Sequence, residues 1–551
     1  MNRWVRLCLT TGCALPLHAA ERLVWTGPEE PGRAILTSVF PDTGKRTLRR
    51  VTGDGGGIAL PDGTPEIRWA GWLPRGIRPG AAVTAAGAFG EKPAIEEWSQ
   101  AGDAAPEAIG PWPVGPALQS LIEWRAFGVE ERVDFQTADS RLVVRAKPGR
   151  APAGVAGVSR GRLPDPAWTP GGVGVCLEFE ATGTWRLVVE SERAGTAPVT
   201  VELPGTTGKA GASLHALPAG EPFRFTLVAP ESGGELQLRG LALRETGGGA
   251  ADGPAPYGRW IWDTRPEKWA ADDSACRELA VSYPAVLEFS EIELAAIRGL
   301  RGRNIRLVAV EGDPAMILPG EQGKAAARAA ALRALPEPQR PDALQFDIEP
   351  YLIPGYSLNP ARWNREWLAT LRGVKAAAGG LPVEAVLPWW LVASDEHAGF
   401  LNALPEVVDR VVVMNYRTQP LAALQTASRW MEWGARYRRP VAIAVEFGPL
   451  PDVEVARYVP AERGDLWLVE SPGQGTLALL LVAPAAPPPG TFALRSDGEP
   501  RVRTPAGVTF HREPEKARPL VRALGALRPG VPGSPRPVYL HEPPRGFSVG
   551  E

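Results

Sequence analysis

The chain has 551 residues, too many for one hydrophobic core, and at roughly 100–200 residues per domain it makes about two to four. Its 60 Lys and Arg against 62 Asp and Glu leave a net charge of −2, so no overall field draws it to nucleic acid or to an anionic membrane. Hydrophobic residues at 44%, with 19 Trp, exclude a disordered chain despite 62 Gly and 58 Pro, an excess that genomic base composition can produce.

Residues 1–20 place Arg3 and Arg6 before a short apolar stretch that ends in small residues at Ala19 and Ala20, the layout of a secretory signal, so an exported (periplasmic or secreted) protein is expected. Thr10, Thr11 and Gly12 interrupt the stretch, which leaves a short buried strand or a misplaced start as the other reading. Further on, no apolar run reaches the ~20 residues needed to cross a bilayer, and the longest, Leu477 to Ala486, runs into prolines. Cys176 and Cys276 are too few for a disulfide scaffold and show no metal-ligand spacing; each reads as a small buried apolar residue. Neither a cofactor nor a resident metal is implied, and nothing in the sequence sets an oligomeric state.

Short β segments separated by Gly- and Pro-rich turns predict a small β domain over 21–112. Over 113–246, strands such as RLVVRA, GVCLEFEA and FRFTLVAP recur at the spacing of an antiparallel β-sandwich, which is either a carbohydrate-binding module or a plain spacer. Residues 247–256 form a Gly/Pro/Ala linker. Over 257–551 strands alternate with amphipathic helices. Eight strands can be read, beginning at Arg259, Ala285, Ile305, Ala343, Val383, Arg410, Val441 and Val538, and such repeats close most economically into a (β/α)₈ barrel. A β insertion at about 450–508 separates the seventh and eighth strands, to wall a cleft or as inert decoration.

The fourth strand carries the most chemistry. Alternation turns Leu344, Phe346 and Ile348 toward the helices and Ala343, Gln345, Asp347 and Glu349 into the barrel, with two carboxylates at the C-terminal end, where barrel active sites lie. A structural role, capping a helix or pairing with an arginine, is the plainer alternative. The same logic brings Glu446 to the mouth from the seventh strand, either as a working carboxylate or as the counter-charge of Arg417 or another barrel cation. Asn415, Tyr416 and Arg417 end the sixth strand, His541 ends the eighth, Trp389 and Trp390 end the fifth and Asp263 follows the first; together with Gln345, all are candidates to line the mouth and hold substrate.

The run Asp342-Ala343-Leu344-Gln345-Phe346-Asp347-Ile348-Glu349 resembles the D-x-x-D-x-D-x-E motif of chitinase-like family 18 glycoside hydrolases, and Met414-Asn415-Tyr416 is similar to their M-x-Y element. The resemblance implies Glu349 as proton donor, Asp347 as its assistant and Tyr416 as a positioning hydroxyl. Gln345 stands where the family has its middle Asp, and Arg417 where an Asp usually follows the Tyr. A second arrangement pairs Glu349 as acid/base with Glu446 as nucleophile, in which case their carboxyls should lie about 5–5.5 Å apart. Three functions stay open: a hydrolase acting on a polysaccharide or glycan, a degenerate barrel that binds carbohydrate or a cell-surface component without turnover, and metal-assisted hydrolysis using Asp263, Asp347, Glu349 or His541.

Overall fold

The computed structural model describes residues 109–549 except 129–130, 139, 247–255, 263–264, 270–274, 319, 353–359, 465, 472–474, 482–490 and 535–537, and describes seven strands between residues 22 and 100 and the stretches within 466–492 through their backbone. The leader, linker residues 247–255 and Asp263 lie outside the described residues.

Two antiparallel sheets form a sandwich. One orders Thr207–Ser213, Val173–Ala181, Gly234–Glu245, Arg141–Ala146 and Val133–Ala138; the other orders Val199–Leu203, Trp185–Ser191, Pro222–Val228, Gly154–Gly157 and Trp124–Phe127, with Gly161–Arg162 added on Pro222–Val228. Strict alternation explains the packing: Val175, Leu177 and Phe179 face the core, and the residues between them face out. Cys176 is one of the outward residues and is exposed, contrary to the expectation of a buried thiol, whereas Cys276 is buried. Its two apolar neighbours claim the inner face, and period two leaves Cys176 the other.

The sandwich is fastened to the barrel by buried polar contacts. Glu432 accepts from the guanidinium of Arg162, at 2.8 Å for one nitrogen, and from the Asp165 amide at 2.7 Å. Nearby, Arg528 N–H donates to Val114 O at 2.8 Å. Gly115 has φ 116°, and a Cβ there would sit 2.1 Å from Ala526 O, so only glycine lets the two backbones approach this closely. Gly115→Ala is expected to lower stability by about 1–3 kcal/mol, read from denaturant unfolding, because both the strained backbone and the overlap must be relieved.

Eight parallel strands close a barrel in chain order: β1 (Tyr257–Ile261), β2 (Cys276–Ser282), β3 (Arg306–Glu311), β4 (Ala343–Phe346), β5 (Val383–Pro388), β6 (Arg410–Met414), β7 (Val441–Glu446) and β8 (Val538–His541). Helices α1 (Glu291–Gly302), α2 (Gln322–Ala334), α3 (Pro360–Ala378), α4 (Ala398–Ala403), α5 (Pro420–Tyr437) and α6 (Ala517–Gly525) follow in the connections. Alternation again divides the side chains. Val308, Ala343, Val386, Val412 and Ala444 fill the interior with Trp260 and Tyr539, while Leu344, Phe346, Val411 and Ile443 join the outer core against the helices.

The second strand begins at Cys276 and not at Ala285. The apolar run from Ala285 leads instead into α1, whose N-cap Ser290 and Glu293 exchange hydrogen bonds in a capping box, and Val286 is 66% exposed. What reads in the sequence as a separate N-terminal β domain and an insertion is joined by backbone pairing into one ten-stranded sheet. Within it Val453–Ala461, from the insertion, pairs antiparallel with Val83–Ala88, and Gly475–Leu481 pairs with Ile67–Trp72.

Candidate active site

The barrel interior holds two polar layers, and the lower one is built from residues that no motif in the sequence marks. Glu278 on β2, Arg306 on β3, Glu384 on β5 and Arg410 on β6 form an ion network across the axis: Arg410 reaches Glu278 at 2.7 Å and Glu384 at 3.4 Å, and Arg306 reaches Glu384 at 2.8 Å and also pairs with Glu278. Burial by itself would raise Glu278, but the two guanidinium groups outweigh it and hold its carboxyl below the usual range. Gln345 belongs to this layer. It is fully buried and donates from Nε2 to Glu384 Oε2 at 2.9 Å, one pleat beneath the mouth, so the expectation that it contacts substrate gives way to a role in the network. Asp342, first residue of the motif-like run, is also structural: it pairs with Arg301 and accepts the Leu307 amide at 2.7 Å.

Above this layer the structure brings Asp347, Glu349, Tyr416, Glu446 and His541 together. Asp347 follows β4 and is 8% exposed, and its Oδ1 has no hydrogen-bond partner. Its backbone runs against Gly312 after β3, where a Cβ would stand 2.1 Å from Asp347 O. Glu349 lies two residues on, at φ 49°, in the left-handed region that a side chain makes costly by about 1–3 kcal/mol. Glu542, after β8, shows the same feature at φ 47° and accepts the Trp262 amide at 3.2 Å. Tyr351, which sequence reasoning missed, donates its hydroxyl to Glu349. It stands past the strand end, where period two no longer applies, and its ring packs 5.3 Å from Trp390.

Glu446 is fixed at both oxygens. Oε2 accepts from His541 Nδ1 at 2.7 Å, and Oε1 accepts the Gly448 amide. The Tyr416 hydroxyl lies 3.1 Å from the same His541 nitrogen. The returning end of the insertion secures this corner, since Phe510 N–H donates to Glu446 O at 2.9 Å and the Thr509 hydroxyl to Gly448 O at 2.9 Å.

Asn415 and Arg417 point elsewhere, whereas Trp390 packs against Tyr351 of the site. Asn415 is fully buried and donates from Nδ2 to Ala423 O in α5 at 2.8 Å, so it fastens a helix and does not line the mouth; the strand has ended at Met414 and its alternation no longer governs the side chain. Arg417 donates to the Thr426 hydroxyl at 3.0 Å and covers the Trp389 ring at 4.1 Å. With Arg160 and Arg429 it lines a cavity of about 160 Å³ at the junction with the sandwich. Arg417 is therefore no counter-charge of Glu446, whose partner is His541. Trp390 packs 5.2 Å from His397. Among the described residues no group of three His, Cys, Asp or Glu is placed to hold a metal ion.

Burial raises Asp347 well above the ordinary carboxylate range, and the neighbouring charge of Glu349 adds to it. Burial also raises Glu349, against the lowering effects of the Tyr351 hydrogen bond and of His541. Folded-state values above unfolded ones mean that both carboxyls favour folding below the usual carboxylate range, near pH 4, and that this contribution is lost as pH rises through the folded values. Asp347→Asn should therefore stabilise the protein near pH 7.5 by about 1–3 kcal/mol, with the advantage fading toward pH 4. Melting at the two pH values checks this, and an equal shift at both would show that charge burial is not the cause.

No protein-family model matches the chain, and no curated protein matches it in sequence. Among solved structures it is similar to a variant of xylanase 10C from Cellvibrio japonicus bound to xylopentaose, at 10% identity and TM-score 0.24 over 60% of this chain and 79% of that one. A second is the CBM22-1 and GH10 modules of xylanase 10B from Clostridium thermocellum with xylohexaose, at 9% identity and TM-score 0.24 over 61% and 82%. A third, a family 61 carbohydrate-binding module with β-1,4-galactotriose, has 14% identity and TM-score 0.18 over 24% of this chain and 95% of that one. Overlaps this loose say nothing of what the chain acts on, and none of the three is a chitinase-like enzyme.

Proposed function

We propose that the chain is an exported glycoside hydrolase that cleaves a polysaccharide or glycan with Glu349 as general acid. One observation supports this above the others: two carboxyls with raised pKa values, Asp347 and Glu349, share the C-terminal end of a closed barrel with Tyr351, Tyr416 and His541. A carboxyl whose pKa is raised holds its proton to higher pH than an ordinary glutamate and can give it to the glycosidic oxygen as that oxygen takes the electron pair of the breaking C–O bond. Asp347, with an oxygen free to meet a ligand, orients the substituent beside the reacting carbon, and the Tyr416 hydroxyl positions the ring. Glu446 serves this site by holding His541 at Nδ1. Residues 1–20 would direct the chain out of the cytoplasm; among the described residues no helix is long and apolar enough to cross a membrane.

The second reading is a barrel that binds glycan without turnover. Gln345 and Arg417, the two departures from the chitinase-like pattern, favour it, because both side chains are committed to other contacts. Incubating the purified protein with a panel of oligosaccharides separates the two. Release of new reducing ends supports the hydrolase, and binding with no release on any member leaves the binding protein.

A further inference from the structure

The hydrolase reading leaves one buried nitrogen of the site unused. His541 is 9% exposed, its ring lies 5.2 Å from that of Trp260 and 5.9 Å from that of Tyr416, and the planes of His541 and Tyr416 are within 9° of parallel. Its Nδ1 is engaged by Glu446, which is itself pinned by the Gly448 amide, so the imidazole has little freedom to turn. A carboxylate acceptor on Nδ1 keeps a proton there in either charge state of the ring, and only Nε2 remains to meet a ligand. Nε2 is buried and has no hydrogen-bond partner, a condition rare for a polar atom in a folded interior.

Resting on the site reading above, we propose that His541, held by Glu446, is a substrate-binding residue that donates from Nε2 to a hydroxyl oxygen of an uncharged sugar ring. Three carboxylates face the imidazole: Glu446 on β7, Glu542 after β8 and Glu349 after β4. Tyr416 and Trp260 close it in with their rings. Burial by itself would lower its pKa, but the three carboxylates together raise it above the ordinary histidine value, which favours the doubly protonated ring that donates from both nitrogens. The positive charge is already matched by Glu446, and Arg417 is engaged with Thr426 and Trp389, so neither of these described cations is left to meet a sugar carboxylate. Hydroxyl groups, which accept from Nε2 and donate to Asp347 Oδ1, fit where an acidic sugar would meet carboxylates without compensation.

The test uses the full chain with ¹⁵N-labelled histidine, whose 5 residues give a short spectrum, and the His541 signals are assigned with His541→Gln. The probes are cellopentaose, xylopentaose, chitopentaose and pentagalacturonic acid, added one at a time. At least one neutral probe should move the His541 Nε2 resonance, and His541→Phe, which keeps an aromatic ring beside Trp260 and Tyr416, should bind that probe about tenfold more weakly. Glu446→Gln should lower the pH at which His541 titrates and move the loss of probe binding to lower pH with it. The inference fails if every neutral probe is ignored, if a bound probe leaves Nε2 unmoved and binds His541→Phe as tightly, or if the acidic probe binds better than the neutral ones. Reducing-end release from the same samples is scored separately. A shifted Nε2 without release keeps this assignment and removes the hydrolase, whereas release with an unmoved Nε2 does the reverse.

Discussion

Glu349→Gln should leave a folded protein whose kcat on its best glycan substrate has fallen by about 10²–10⁴-fold, with affinity for that glycan retained. The amide keeps an oxygen for the Tyr351 hydroxyl to donate to, and it removes the proton that the leaving oxygen would take. Folding should change little, because the left-handed backbone at φ 49° is a property of the chain path and is shared by both side chains. In the unsubstituted enzyme, activity that depends on protonated Glu349 is present below its folded pKa and lost above it; burial moves that limb to higher pH than an ordinary glutamate would show. Initial rates across pH for the two proteins check both points. Equal kcat in the two would remove Glu349 as the acid and favour a site that binds without turnover.

Arg410→Met should cost about 3–5 kcal/mol of stability. The guanidinium lies at the crossing of the lower layer, against Glu278 and Glu384 and 5.4 Å from the centre of the Tyr539 ring. Methionine fills much of the volume but leaves two buried carboxylates to share Arg306. Coulomb attraction that had offset their desolvation is gone, while the desolvation remains. Denaturant unfolding measures the loss. The sign of the pH effect is also fixed: Glu278 has a lowered folded-state pKa, so its contribution is present above the usual carboxylate range and is lost as pH falls through the folded value. A loss under 1 kcal/mol would mean that Arg306 alone compensates both carboxylates.

Much of the barrel is legible in the sequence because strands of period two announce their faces. Leu344 and Phe346 join the outer core and Ala343 the interior, as alternation along β4 requires, and the pattern carries on to bury Asp347 just past the strand end. Past the end of β6 the same rule fails. Asn415 and Arg417 follow the end of β6, and their directions are set by contacts with α5 that no local pattern reports. Tyr351 escapes notice for that reason too. Misreading the run from Ala285 as β2 has a different origin: apolar residues ahead of a helix look like a strand unless the capping pair Ser290 and Glu293 is weighed first. The ion network is implicit in the parity of Glu278, Arg306, Glu384 and Arg410, yet it becomes visible only when the register sets them side by side.

The sheet that joins the first hundred residues to the insertion has a consequence for how the chain matures. Gly87 pairs with Glu454, so strands made before the barrel wait for partners that emerge after nearly the whole of it. Until then their edges are open, and they are the part of the molecule most exposed to pairing with another copy. Removing the first hundred residues would not trim an independent appendage either. It would uncover the flank of Val453–Ala461, on the same excursion whose return holds Glu446 in place.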